Sequence, residues 1–129
     1  MTAQTDVIDW QEAMQQCGDD EEFLREVLAD LRTEVEAQLS IIAEIINNPQ
    51  GTPYHQIMRS AHLLKGAAAN LMCGALRTAS MQLEDSARAA HEQGETASPP
   101  DVQAAVQAAH RNLQQAAQNF VAFLFSIGL

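Results

Sequence analysis

Between Asp20 and Asn47, apolar side chains return at helical spacing for about seven turns. Leu24, Val27, Leu28, Leu31, Val35, Leu39, Ile42, Ile45 and Ile46 fall on one face, and charged residues fill the other. A stripe of that length cannot be covered by its own helix, so other helices must be laid against it. The rest of the chain supplies them. "TDVIDWQEAMQQCG" reads as a short leading helix over about residues 6–17, with Val7, Ile8, Trp10 and Met14 as burial candidates and Gly18 as its stop. Asp19 is placed to cap the long second helix (20–47), with Glu22 three residues on as in a capping box.

After the break "NNPQGTP", Thr52 and Pro53 make a helix start, a capping hydroxyl followed by proline at the first helical position. This third helix runs over 53–71 and the chain turns near "MCGA". A fourth (74–93) carries Leu76, Ser80, Leu83, Ala87 and Ala90 on one stripe. "EQGETASPP" is a loop, and Ser98, Pro99 and Asp101 open a last helix (99–127). Its buried side is Val102, Val106, Ala109, Leu113, Ala117, Phe120, Leu124 and Ile127. The expectation is an all-α single domain over 1–129, an antiparallel four-helix bundle with a short additional N-terminal helix.

Composition narrows the function classes. A formal net charge of −10 repels phosphate backbones and anionic lipid, which excludes nucleic acid and membrane surfaces as partners. No apolar run approaches the roughly 20 residues of a spanning helix, and the start "MTAQTDVIDWQ" lacks the basic flank and apolar centre of a signal peptide. Cys17 and Cys73 form no metal-type motif and read as two free thiols, so a cytoplasmic location is expected. The initial methionine and self-contained helices favour a free-standing protein.

The stretch "SAHLLKGAAANL" carries the chemistry. Ile57, Ala61, Leu64, Ala68 and Leu71 define the buried stripe of the third helix, and at about 100° per residue His62 lies about 140° from its centre. The imidazole therefore points outward. Lys65, the only lysine of the chain, stands one turn on, where its ammonium reaches an anion carried by the ring. Gly66 costs about 1 kcal/mol of helix stability relative to alanine, and on an exposed face it gives a partner room to approach. Ala67, Ala68 and Ala69 are small as well.

Competing chemistries fit less well. His55 and His62 share a face but are about 10 Å apart along the axis, too far to ligate one ion, and no Glu-x-x-His pattern of di-iron bundles occurs. Ser60 is about 100° from His62 with no evident orienting acid, and no phosphate-cradling glycine loop is present.

"AHLLKGAAANL" followed by "LRTASMQLEDSAR" resembles the histidine-containing phosphotransfer (HPt) domain, whose pattern is a phosphorylated histidine with lysine three and glycine four residues later. Leu76, Ser80, Leu83 and Glu84 fill the leucine and leucine-glutamate run that opens the family's next helix. The likeness covers about residues 6 to 90. One departure is Met72, where family members often carry glycine. The resemblance implies a phosphorelay carrier rather than a complete enzyme. His62 would accept a phosphoryl group from the aspartate of one receiver domain and pass it to another. Lys65 would offset charge on the phosphoryl oxygens, and Met58, Arg59, Gly66 and Ala69 would dock the partner.

The implied partners are response-regulator receiver domains and a sensor histidine kinase, including hybrid kinases. The chain itself is expected to be a monomer without metal or cofactor, the Mg²⁺ being brought by the receiver. The alternative is a helical-bundle adaptor whose histidine is not phosphorylated.

Overall fold

A computed structural model describes residues 7–95 and 99–129. Among them are five helices and no strand: α1 (Trp10–Gln16), α2 (Glu21–Asn47), α3 (Pro53–Asn70), α4 (Gly74–Gln93) and α5 (Pro100–Ser126). The connections 48–52, 71–73 and 94–99 are short, so α2 to α5 run alternately up and down. α4 is the central partner, packed most extensively on α3 and also on α5, while α2 lies against α3.

The stripes read from the sequence are the core. Leu76, Ser80, Leu83, Ala87 and Ala90 of α4 are all buried, as are Ile57, Ala61, Leu64 and Ala68 of α3 and the run from Val106 to Leu124 of α5. Alanine occupies many of these sites, so the helices can approach closely where α3, α4 and α5 meet. On α2, Leu24, Leu28, Leu31, Val35 and Ile42 are buried, and Val27, Leu39, Ile45 and Ile46 pack half-buried at the margin.

The bounds of α2 to α5 lie within one residue of expectation, while the start of α1 and several caps depart from it for identifiable reasons. α1 starts at Trp10 rather than near residue 6, because Asp9 is its cap: the Asp9 carboxylate accepts from the Glu12 N–H at 3.1 Å. The Asp9 N–H donates to the Met72 carbonyl at 2.9 Å, and Val7 and Ile8 are buried ahead of the helix. At the other end the chain leaves α1 through left-handed Gly18 and Asp19 (φ 68° and 61°). Asp19 N–H reaches the Met14 carbonyl at 2.8 Å and Gly18 N–H the Gln15 carbonyl at 3.1 Å, the two bonds of a Schellman ending. That ending takes up Asp19, so the cap of α2 is the next residue: Asp20 accepts from the Phe23 N–H at 3.1 Å.

Thr52 precedes Pro53 as expected, but its hydroxyl makes no capping bond. The orphan N–H groups of Tyr54 and His55 donate instead to the Glu95 carboxylate, at 2.8 and 3.0 Å, and His91 Nδ1 lies 2.5 Å from the same group. Burial pushes the Glu95 carboxyl up, but these donors outweigh it and hold the group below the ordinary glutamate value. The loop after α4 thereby fastens the start of α3. Ser98, expected at the opening of the last helix, lies outside the described residues; Pro99 is the cap and Pro100 the first helical residue of α5.

Both cysteines are free, as expected. Cys73 is fully buried, which pushes its thiol up to about 12. Among the described residues, no helix is long and apolar enough to cross a membrane.

Candidate functional site

The middle of α3 presents His62 to solvent, with 64% of its side chain exposed. The cause is the period of the helix: Ala61 and Leu64 are turned into the core, which leaves position 62 outside. What orients the ring comes from α4. Glu84 follows Leu83 on the buried side of that helix and its side chain is only 4% exposed. Its carboxylate bridges three basic groups. His62 Nδ1 lies 2.8 Å from Oε2, Arg88 Nη2 donates to the same oxygen at 3.0 Å, and Lys65 Nζ sits 2.7 Å from Oε1. Arg88 is held from its other side by Asp85 at 3.0 Å.

A buried carboxylate persists as an anion only if cations and donors offset the lost hydration. Burial alone pushes the Glu84 carboxyl up, while the hydrogen bonds and positive charges of Lys65 and His62 pull it the other way. The balance lies below the ordinary value of 4.5. Glu84 is thus ionised near neutral pH and can only accept. His62 Nδ1 must then carry a proton, and in the neutral ring this leaves Nε2 with its lone pair.

An open cleft borders the ring, lined by Met58, Arg59, His62, Leu63, Glu84 and Arg88. Leu63 is exposed (56%) and adds an apolar wall. The structure therefore gathers three residues singled out from the sequence, Met58, Arg59 and His62, about one cleft, and Lys65 joins them through Glu84. Gly66 and Ala69 lie further along α3 and do not line the cleft. Gly66 is exposed, and a Cβ built on it meets nothing within 4 Å, so the surface there is open. Ser60 is buried and donates to Gln38 of α2, a packing role rather than a nucleophile's.

Glu84 and Arg88 are the residues that sequence reasoning left out of the site. The available signal was position: Glu84 is four residues after Ser80 and three before Ala87, on the margin of the buried stripe, where a lone acid demands a cation from another helix. The remaining histidines stand apart from this cluster. His55 and His91 come together near Glu95, with ring centroids 5.3 Å apart, and His110 is held below its usual range by burial and then by Arg111. Among the described residues, no group of three side chains is arranged to hold a metal ion.

Comparison with known proteins adds one finding. The family model described as the Hpt domain matches residues 26–119, from the second turn of α2 to near the end of α5. No curated protein and no solved structure matches the chain.

Proposed function

The chain belongs to the Hpt domain family and so to two-component phosphorelays, and on that premise we propose that His62 is its phosphorylated residue, exchanging a phosphoryl group with receiver-domain aspartates. The observation that carries this reading is the 2.8 Å contact between exposed His62 and buried Glu84. With Nδ1–H donated to the carboxylate, the Nε2 lone pair attacks the phosphorus of a receiver's aspartyl phosphate. The N–P bond forms as the P–O bond breaks, and the aspartate leaves as its carboxylate. The ring then carries a phosphoryl group on Nε2 and a proton on Nδ1, hence a positive charge, and Glu84 lies beside that charge as it develops. The same steps in reverse pass the group to a second receiver.

Lys65 stands within the same network, its ammonium held 2.7 Å from the Glu84 carboxylate. It offsets charge on the transferring oxygens. The receiver supplies the Mg²⁺ and the aspartate, so this chain acts as carrier and not as a complete enzyme. Exposed Leu63 and half-buried Met58, with open Gly66 beyond them, give a receiver an apolar surface to rest on.

The test is incubation with a phosphorylated receiver domain. The wild-type chain should take up acid-labile, base-stable label, and His62→Gln should take up none while keeping its helical circular dichroism and melting temperature. Label retained in the variant would refute the assignment, and an unlabelled wild-type chain would favour the adaptor reading.

A further inference from the structure

The charges around the cleft are unevenly matched. Lys65 and Arg88 face Glu84 and Asp85 in direct ion pairs, so these four groups sum to zero while His62 is neutral. Arg59 lines the same cleft, is exposed, and has no ion pair among the described residues. Arg25, Arg77 and Arg111 likewise have no ion pair among the described residues, but Arg59 is set apart by lining the cleft beside His62.

Side chains on a helix lean toward its N-terminus, so the His62 ring extends over the turn that carries Met58 and Arg59. Lys65 leans the same way, and its ammonium is held by Glu84 at 2.7 Å. The ring and the Arg59 side chain thus line the same cleft. A phosphoryl group there brings about two negative charges and three acceptor oxygens. A planar guanidinium binds such a group through two parallel hydrogen bonds, which an ammonium cannot do.

We infer that Arg59 is the residue that holds the phosphoryl group on His62 between transfers, and so sets how the phosphate divides between this chain and its receivers. The inference rests on the phosphocarrier reading above. Arg88 closes the opposite wall of the cleft but is already shared between Glu84 and Asp85. Arg59 alone meets the added charge without giving up a partner seen in the structure.

Equilibrium separates this role from docking. The equilibrium constant for exchange between a phosphorylated receiver and this chain depends only on the free proteins, provided the concentrations are too low to populate the complex. A docking residue alters rates and leaves that constant alone. The experiment uses a receiver domain loaded with acetyl phosphate and mixed with full-length wild type, Arg59→Gln or Arg59→Lys. At low ionic strength, Arg59→Gln should shift the equilibrium toward the receiver by about fivefold, the upper range for one exposed charge pair. Arg59→Lys should recover part of the loss, and the difference should shrink in about 1 M salt. An unchanged constant in Arg59→Gln, with wild type normally labelled, overturns the role of Arg59 alone. A wild-type chain that takes no label overturns the phosphocarrier reading and this inference with it.

Discussion

Replacing Glu84 by glutamine removes one negative charge from the point where α3 and α4 are tied together. The carboxylate is 4% exposed and serves His62, Lys65 and Arg88 at 2.8, 2.7 and 3.0 Å. A neutral carboxamide of the same size keeps the packing, but its NH₂ group must face a donor on one side. Breaking a fully buried ion pair costs about 3–5 kcal/mol because the surviving charge is stranded. Here Lys65 and Arg88 are 30% and 45% exposed and can recover hydration, so the cost falls to about 2 kcal/mol. For a domain of this size that corresponds to a drop of about 8 °C in melting temperature at neutral pH.

Acid provides an internal control. The folded Glu84 carboxyl lies below the ordinary 4.5, so its contribution is complete above that pH and is lost as the pH falls through the folded value. The difference between wild type and Glu84→Gln should accordingly be full at pH 7 and shrink below about pH 4.5. Phosphoryl uptake should also slow by about tenfold, equivalent to about 1.4 kcal/mol, because the charged ring loses its anion. Urea unfolding of both proteins across pH, with single-turnover transfer at pH 7, measures these effects. Equal stability at pH 7, or a gap that does not shrink in acid, would show that the Glu84 charge does not tie α3 to α4.

Met72 ends α3 in the left-handed region (φ 58°), where glycine is free of strain and other residues pay about 1 kcal/mol or more. Met72→Gly should stabilise the domain by somewhat less than that, since the half-buried methionine loses some packing; chemical denaturation that shows a loss instead would mean packing dominates the site. Gly66→Gln should leave the fold intact or up to about 1 kcal/mol more stable, because the space around its Cβ is open and glutamine is the better helix former. Transfer from a receiver should nonetheless fall several-fold, and an unimpaired rate would show that no partner closes over this residue.

The sequence carried the bundle and the exposure of His62 because both depend on a single repeating angle. Every stripe residue of α4 named from that angle is buried, and His62 lies on the exposed side as the arithmetic required. Helix ends were less legible, since they depend on bonds between residues far apart in sequence. Asp9 starts α1 while its N–H bonds to Met72, and Glu95 caps α3 in place of Thr52. The glycine that the family often has after α3 is absent, yet the turn keeps its Schellman bonds, with Cys73 N–H on the Ala68 carbonyl at 2.9 Å and Met72 N–H on Ala69 at 3.2 Å. Glu84 was hidden for the same reason as the caps. It stands 22 residues from His62, and only the packing of α4 on α3 brings its carboxylate to the ring.

Phosphoryl transfer through His62 turns on one atom, and nitrogen–phosphorus NMR of the histidine-labelled, phosphorylated protein addresses it directly. Transfer by the Glu84-oriented ring requires the phosphoryl group on Nε2 of His62, with Nδ1 still protonated and bonded to Glu84. Phosphorus on Nδ1, or on any residue other than His62, would contradict it.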